Sequence, residues 1–207
     1  MRKLTKDSNI YAVRDRIVKA YLKILLRKFR KINQGTITSF DEINALQGVS
    51  TAYNEIIDIS VKALKEVAQK TYKWLCDEDM LVDMWFSGWL NEYNPVTHYK
   101  WADEAERKKA RLYEALMSCR TSAERKKQID IAMRYWVKQF EQYADCIVSE
   151  TLLKAYEDNG VKYVQWCTEK DGKVCSACHA REGKIYPIKH ANLIPLHFNC
   201  RCWWIPV

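Results

Sequence analysis

The chain has 207 residues, of which 48% are hydrophobic and 29% are charged, and its formal net charge is +8. A chain of this length can bury one sizeable core or two modest ones. Its N-terminus is basic but lacks an apolar core followed by small residues, and no window of about 18 apolar residues occurs. These features exclude a secretory signal and a membrane span, so we expect a soluble protein that is not secreted.

The positive charge is concentrated at the two ends of the sequence. Residues 1–34 contain 11 Lys and Arg against 2 acidic residues, whereas residues 35–160 contain 16 against 21. Residues 161–207 again carry an excess, with 7 against 3. The excess therefore lies in an N-terminal basic segment and in a C-terminal segment that is rich in cysteine.

Apolar residues recur at helical spacing from Asn9 to Ile32, which predicts an amphipathic helix. A second stripe on this helix is basic and consists of Arg16, Lys19, Lys23, Arg27 and Arg30. Such a face can bind DNA phosphates, an acidic protein surface or anionic lipid. The alternative is a solvated helix face with no ligand.

The sequence INQGTITSFDEI interrupts the helical pattern after this first helix. Ser39 and Glu42 have the spacing of a capping box, so we expect them to start the next helix. Its apolar residues continue toward Tyr72, and Gly48 is a candidate for an interruption or a kink.

A cluster of aromatic residues follows, and such clusters usually lie in a core or an interface: Trp74, Trp85, Trp89 and Trp101. Asn94-Pro95 marks a turn within this region. His98 stands alone beyond the turn, and we interpret it as structural or exposed rather than catalytic.

Two further helices are predicted before the character of the sequence changes. The segment DEAERKKARLYEALMSC has acidic residues before basic ones, which suits a helix dipole, and the chain pauses near Arg120 to Ser122. The long helix that follows ends at Asn159-Gly160. Its narrow apolar seam predicts antiparallel helix packing or contact with a partner helix, and consists of Ile129, Met133, Trp136, Phe140, Tyr143, Ile147, Leu152 and Ala155.

The last quarter of the chain has the pattern of short strands, in VKYVQW, IYPI and CWWIPV, with Asp171-Gly172 as a hairpin turn. The sequence thus predicts a mainly α fold, an elongated helical body followed by a small C-terminal α+β or β-hairpin zinc-binding module. The predicted domains are a basic amphipathic N-terminal helix at residues 1–34, a helical body at 35–160 and a small β-rich zinc-binding module at 161–207.

Eight cysteines without a secretory signal indicate metal ligands together with ordinary core thiols. Cys76, Cys119 and Cys146 stand alone in helical stretches, where a free cysteine behaves as a small apolar residue. We predict that these three pack in the core.

The C-terminal cysteines have the spacing of a zinc site. Cys175-x2-Cys178 and His197-x2-Cys200 form two ligand pairs separated by 18 residues, as in a tetrahedral site built from two knuckles. A structural Zn²⁺ would also supply stability that so short a segment, with few aliphatic side chains, lacks.

Cys202 is the alternate fourth ligand. Residues 200 and 202 alternate along a strand and are expected to face opposite ways, so only one should bind the metal, and the spacing from His197 favours Cys200. His179 and His190 are lesser candidates as ligands. Cys167 is interpreted as a core residue.

Four protein ligands leave no open position for a catalytic water, so we predict a closed site and no enzymatic activity. No His-Glu-x-x-His, Gly-x-Ser-x-Gly or phosphate-loop motif occurs. The fragment PLHFNCRC is superficially similar to zinc-linked nuclease motifs, in which His197 would serve the chemistry. A metal-dependent nuclease and a nonspecific DNA-binding protein are therefore the alternative functions.

Four stretches carry a resemblance to a known family: NPVTHYKWADEAERKKARLYEAL, QYAD, VKYVQWCTEKDGKVCSACHAREGKIYPI and PLHFNCRC. Together they resemble the phage head morphogenesis family, the minor head proteins that include the Mu F-like proteins, from about Asn94 to Cys202. The tail has the most specific positions, which are Trp166, Thr168, Asp171, Val174, Cys175, Cys178, Gly183, Pro195, His197, Cys200, Arg201 and Cys202.

The resemblance implies a virion protein rather than an enzyme. Proteins of this family are made in the host cytoplasm and incorporated in few copies with the phage portal protein, inside the head near the portal vertex. They act in head morphogenesis and in DNA packaging, retention or ejection. The implied partners are the portal protein, a scaffold or major capsid protein, and double-stranded DNA, and no membrane is implied.

Overall fold

The computed structural model describes residues 10–38, 41–77, 101–169, 174–191, 194–197, 200 and 202–207. Some residues used above lie outside the described residues or side chains, and the predictions for them stay predictions: Ser39, Cys76, Trp85, Trp89, Asn94, Pro95, His98, Trp101, Asp171, Gly172 and Arg201.

The described chain is mainly helical and ends in a small three-stranded antiparallel sheet, as the sequence predicts. A short 3-10 turn follows the second strand. None of the helices in the described ranges has an apolar stretch long enough to cross a bilayer. The elements in chain order are α1 (Ile10–Thr38), α2 (Glu42–Asp77), α3 (Trp101–Ser118), α4 (Ser122–Asp158), β1 (Tyr163–Thr168), α5 (Ser176–His179), β2 (Ile185–Pro187), the 3-10 turn (Ile188–His190) and β3 (Cys202–Pro206).

Helix α1 continues to Thr38, beyond the end that the sequence predicts at Ile32. The extension contains Gly35 but no proline, and a glycine costs a helix only about 1 kcal/mol relative to alanine. Such a weak breaker does not end a long helix. The buried face of α1 consists of Ile17, Val18, Leu25, Phe29 and Ile32.

Asp41 is the N-cap residue of helix α2. The Asp41 carboxylate accepts a hydrogen bond from the backbone N–H of Asn44 at 3.0 Å, which is the bond of an N-cap residue. The helix then passes through Gly48 without interruption, so the predicted break there is wrong. A single glycine lowers helix stability but does not remove a backbone hydrogen bond.

A capping box that the sequence analysis missed separates α3 from α4. The Thr121 hydroxyl accepts a hydrogen bond from the Glu124 N–H at 3.2 Å, while the Glu124 carboxylate accepts from the N–H groups of Thr121 and Arg120 at 3.0 and 2.7 Å. The predicted pause near these residues is confirmed. Gly160, with φ of 73°, follows the end of α4 as predicted.

Backbone contacts divide the chain into two compact units, and the long helices α1, α2 and α4 contribute residues to both. We call them the helical unit and the sheet unit. The helical unit comprises Ile17–Leu64 and Tyr93–Glu141, and the sheet unit comprises Met1–Arg16, Lys65–Glu92 and Gln142–Val207. The domain limits predicted at residues 34 and 160 stay predictions.

The core of the helical unit is built around aromatic rings from three helices. Phe29 of α1 packs edge-on against Tyr53 of α2, with ring centroids 6.3 Å apart, and Tyr53 packs against Trp136 of α4 at 5.8 Å. Such ring pairs contribute roughly 0.5–1.5 kcal/mol beyond the area they bury. Phe140 and Ile129 continue the buried seam of α4, as the sequence predicts.

In the sheet unit, α4 is buried on nearly every side from Ala144 to Leu152, which is much more than the predicted narrow seam. Its buried polar groups find partners nearby. Asp145 forms an ion pair with Arg14 of α1 at 2.6 Å, and the Thr151 hydroxyl donates to the Ile147 carbonyl at 2.7 Å. These partners allow polar residues to lie inside the unit without an unmatched desolvation cost.

The sheet has the strand order β2-β1-β3 and packs one face into the sheet unit. Trp166 of β1 stands directly opposite Trp204 of β3, and their rings meet edge-on at 5.0 Å. The buried Tyr156 hydroxyl of α4 donates a hydrogen bond to the Trp204 carbonyl at 3.2 Å. This bond links the long helix to the last strand.

We expect Tyr156→Phe to lower the free energy of unfolding by about 1 kcal/mol, because it removes one buried hydrogen bond and leaves the ring in place. The measurement is urea unfolding followed by tryptophan fluorescence. Tyr163→Phe is the matched control, since the Tyr163 side chain is about half exposed, and it should be neutral. An equal loss in both variants would contradict a specific role for the Tyr156 hydroxyl.

The capping box predicts a dependence of stability on pH. The backbone N–H of Thr121, followed by that of Arg120, lowers the pKa of Glu124 below its ordinary value of 4.5. Glu124 therefore stabilises the folded chain above pH 4.5, and this contribution is lost as the pH falls through the folded-state pKa. Glu124→Gln should lower the melting temperature at pH 7 and have a smaller effect at pH 3. A constant difference at both pH values would show that the carboxylate charge is not what caps α4.

Candidate metal centre

The first ligand pair lies at the start of α5, a single helical turn between β1 and β2. Cys175 is its N-cap, and the Cys175 sulfur accepts a hydrogen bond from the backbone N–H of Cys178 at 3.4 Å. The turn brings both side chains to one side of the chain. Cys178 is buried and Cys175 is half-buried.

The second pair approaches from the segment before β3. The Nε2 atom of His197 lies 3.0 Å from the Cys175 sulfur and 3.1 Å from the Cys178 sulfur. The Cys200 sulfur lies 3.7 Å from that of Cys178. Sulfur atoms in a tetrahedral zinc site are also separated by roughly 3.7 Å, since the Zn–S distance is about 2.3 Å.

The candidate ligands form two groups that share one sulfur. Cys175, Cys178 and His197 have their ligand atoms within 4.8 Å of one another, and so do Cys178, Cys200 and Cys202. Cys178 therefore lies at the centre of a cluster of five candidate ligands, which we call the Cys/His cluster. The cluster can hold a metal ion, and none of the cysteines whose side chains are described is in a disulfide.

Cys200 and Cys202 do not face opposite ways, contrary to the sequence-based expectation. The alternation rule applies within a strand, but β3 begins only at Cys202, so Cys200 belongs to the irregular segment before it. Both side chains are buried, and both sulfurs approach Cys178. The backbone before β3 thus leaves both cysteines as candidates for the fourth ligand.

Hydrogen bonds hold the α5 segment against β1. The Glu182 carboxylate accepts from the backbone N–H and the hydroxyl of Thr168, each at 2.6 Å. Gly183, with φ of 77°, donates its N–H to the Trp166 carbonyl at 2.9 Å. A residue with a Cβ is strained at this φ, which explains a glycine at this turn.

The ligand segment before β3 is also tied to α4. The backbone N–H of Ile194 donates to the Ser149 hydroxyl at 3.3 Å, and Ile194 is fully buried. Ser149 carries no distinctive sequence signal, because it is one of several polar residues in this stretch of α4, with Asp145, Glu150 and Thr151.

The protonation of the thiols differs sharply across the cluster. A hydrogen bond from the Cys202 thiol is the main cause that lowers the pKa of Cys200, to about 5, and the same bond raises the pKa of Cys202 well above its ordinary value. Burial raises the pKa of Cys178 to about 12. The bond from the Cys178 N–H lowers the pKa of Cys175. A divalent cation would favour further thiolates, so metal binding releases protons and weakens in acid.

Cys146 of α4 is a neighbour of the cluster that the sequence analysis treated only as a core thiol. Burial is the main cause that raises its pKa, to about 12, and the charges of Glu150, Asp145 and Cys200 add to the effect. Cys167 is buried as predicted. Cys119 is half-buried just after α3, so its predicted place in a helical core is wrong, and its thiol donates to the Ala115 carbonyl.

The other residues that the sequence offers as ligands or binding residues do not belong to the Cys/His cluster. His179 and His190 are exposed, and neither joins a group of potential metal ligands among the described residues. The five basic residues predicted on the first helix are all exposed on α1, and no ion pair with a described residue engages them: Arg16, Lys19, Lys23, Arg27 and Arg30.

No family model matches the chain, and neither the curated proteins nor the solved structures contain a match.

We expect the purified chain to bind one divalent metal through the Cys/His cluster, with Cys178 as the ligand whose loss is most damaging. Titration with Co²⁺ should give a thiolate-to-cobalt charge-transfer absorption. Cys178→Ser should abolish this absorption or lower the affinity for Co²⁺ more than tenfold. Cys119→Ser is the control, because this thiol lies outside the cluster. Equal Co²⁺ spectra for the wild type and Cys178→Ser would remove the cluster as the metal site.

Proposed function

We propose that the chain is a phage minor head protein, a non-catalytic component of the capsid whose C-terminal module is held together by a structural Zn²⁺. It acts with the portal protein in head morphogenesis and in DNA packaging, retention or ejection. Its place is inside the head near the portal vertex, after assembly in the host cytoplasm. The observation that carries the proposal is the convergence of the tail residues on the Cys/His cluster.

Zinc is the metal that this donor set favours. Cys175, Cys178 and His197 together with one of the two later cysteines give three sulfurs and one nitrogen, a common structural zinc set. Soft thiolates select against Mg²⁺ and Ca²⁺, which prefer oxygen. The module also has few other means of stability, since its sheet has only three short strands.

Several residues that carry the resemblance to minor head proteins also make structural contacts in the module. Trp166 forms the buried pair with Trp204, Thr168 holds Glu182, and Gly183 makes the turn back to β1. The metal-ligand candidates belong to the same set of residues. A shared set of structural residues supports a shared module.

A non-catalytic role follows from the number of protein ligands. A catalytic zinc keeps one position for water, whereas this cluster offers five protein side chains for four positions. Surplus thiols compete with water for any open position. The zinc therefore serves to fix the module as a rigid body that can dock on another head protein.

The proposed role predicts that docking requires the metal. We expect the wild type to co-purify with the portal protein of the same phage and to contain one zinc per chain by elemental analysis. Cys175→Ser/Cys178→Ser should lose the zinc and the portal together, because the module no longer folds to one surface. The control is Cys119→Ser, which should keep both.

Two outcomes would separate the parts of this proposal. Portal binding that survives loss of the zinc would move docking onto the helices. Zinc without portal binding in the wild type would leave a metal-stabilised module and remove the proposed partner.

DNA binding is a second candidate function, supported by the exposed cations of α1. Five basic side chains lie at helical spacing on one exposed face of α1, which suits contact with successive phosphates. Binding of this kind is independent of sequence and weakens with salt. It is compatible with a protein that meets packaged double-stranded DNA.

Neutralising three of these cations, with Lys19→Gln, Lys23→Gln and Arg27→Gln, tests this candidate. If all three contact phosphates, the slope of log affinity against log salt concentration should fall in magnitude by about 2.7, at about 0.9 per contact. The measurement is fluorescence anisotropy with a labelled duplex at several salt concentrations. Lys126→Gln/Lys127→Gln, which removes two charges at exposed positions of α4, is the control. An unchanged slope in the triple variant would exclude α1 as the DNA-binding face.

A further inference from the structure

The four thiols of the Cys/His cluster differ in their access to solvent. Cys178, Cys200 and Cys202 have at most 5% of their surface exposed, whereas Cys175 is half-buried. Oxidation of a cysteine requires access to its sulfur as well as thiolate character. A small oxidant in solution therefore meets the Cys175 sulfur before the other three.

One of the buried thiols lies beside the Cys175 sulfur. The ligand atoms of Cys175, Cys178 and His197 are all within 4.8 Å of one another, and Cys178 is the one thiol grouped with Cys175 among the described residues. The Cys178 N–H donates to the Cys175 sulfur at 3.4 Å, so the α5 turn holds the two residues together. Only two residues separate them in the sequence, and closing so short a loop costs little chain entropy.

Cys178 is also the sulfur on which the rest of the cluster depends. It alone belongs to both groups of candidate ligands. Within the described part of the chain, His197, Cys200 and Cys202 form no such group without it. A bond from Cys178 to Cys175 would therefore break both groups at once. A bond between Cys200 and Cys202, by contrast, would leave the other group complete.

The loss of these two thiolates removes the metal site. The thiolate is the form of cysteine that binds a metal, and a structural zinc site uses four ligands. A disulfide between Cys175 and Cys178 leaves one imidazole and two sulfurs that do not form a group. Because metal binding supplies stability to so small a module, the same oxidation also destabilises its fold.

We infer that the Cys/His cluster is a redox-responsive metal site, in which hydrogen peroxide converts Cys175 and Cys178 into a disulfide and the metal ion is released. The chain then holds its metal under reducing conditions and loses it when peroxide is present. The inference rests on the bound metal of the proposed function, but it does not depend on the phage role.

The oxidation proceeds in two balanced steps. The Cys175 thiolate attacks one oxygen of hydrogen peroxide, the O–O bond breaks, and the products are a sulfenic acid and hydroxide. The Cys178 thiolate then attacks the Cys175 sulfur, an S–S bond forms, and the S–O bond breaks to give a second hydroxide. Two electrons thus pass from the two sulfurs to the peroxide, which is the only oxidant required.

Cys178 has a second thiol close by, since its sulfur lies 3.7 Å from that of Cys200. Both sulfurs of this pair belong to buried residues, so peroxide reaches them only after the module opens. The disulfide to Cys175 should therefore form first. The position of the first disulfide is a direct measure of this order.

The test uses the full-length chain loaded with Zn²⁺, in buffer without reductant. Hydrogen peroxide is added in the presence of a colorimetric zinc chelator, and the remaining thiols are counted with dithionitrobenzoate. We expect one zinc released for every two thiols lost, and peptide mass spectrometry without reduction should find Cys175 linked to Cys178. Dithiothreitol and fresh Zn²⁺ should restore the bound metal.

Cys175→His separates metal binding from oxidation, because histidine binds zinc through nitrogen and forms no disulfide. This variant should release its zinc in peroxide at least about tenfold more slowly than the wild type. Cys202→Ser is the control, since it keeps four candidate ligands, with Cys175 among them, and should release zinc at the wild-type rate. If Cys175→His holds no zinc, the disulfide mapped in the wild type decides the inference by itself.

Three results would overturn the inference. The first is zinc that stays bound while Cys175 and Cys178 are oxidised. The second is release at the wild-type rate from zinc-loaded Cys175→His. The third is release from the wild type with a first disulfide that does not join Cys175 to Cys178. A wild-type chain without zinc before peroxide is added would overturn the proposed metal as well, whereas a zinc-loaded chain that keeps its metal in peroxide would overturn this inference alone.

Discussion

The C-terminal module depends on the approach of several sulfur atoms and one imidazole to Cys178. Four cysteine sulfurs and the His197 ring lie close together in the Cys/His cluster. Burial and the repulsion between thiolates oppose the deprotonation of more than one of these thiols. A divalent cation removes this conflict, because it converts repelling thiolates into ligands. The segments that carry these ligands, α5 and the chain before β3, have few apolar side chains to hold them, so a bound metal ion would supply the stability that a hydrophobic core gives elsewhere.

The rest of the sheet unit is arranged to position those two ligand segments. Glu182 and Gly183 fasten the α5 segment to β1, and Ser149 fastens the segment before β3 to α4. The long helix therefore supports the module, which explains why α4 is buried on nearly every side from Ala144 to Leu152. An amphipathic helix with one partner would need only a seam.

Much of this organisation could be predicted from the sequence, because strong periodic signals and fixed ligand spacings are local. The long helices, the three strands and the two ligand pairs of Cys175 and His197 are signals of this kind. The errors arose where the outcome depends on neighbours. The end of α1 depends on packing that outweighs a glycine, and the direction of the Cys202 side chain depends on where β3 begins. The burial of Ser149 and Asp145 has no sequence signal, since polar and charged residues occur along the whole length of α4.

Strand β3 is tied both to the candidate metal centre and to the long helix. It begins at Cys202 in the Cys/His cluster, and its Trp204 carbonyl accepts a hydrogen bond from Tyr156 of α4. A metal ion bound by Cys202 would therefore fix the first residue of a strand whose middle is already held by α4. Because a segment that orders only on binding lowers affinity, a metal ion that orders this strand beforehand would strengthen the binding of any partner that contacts it.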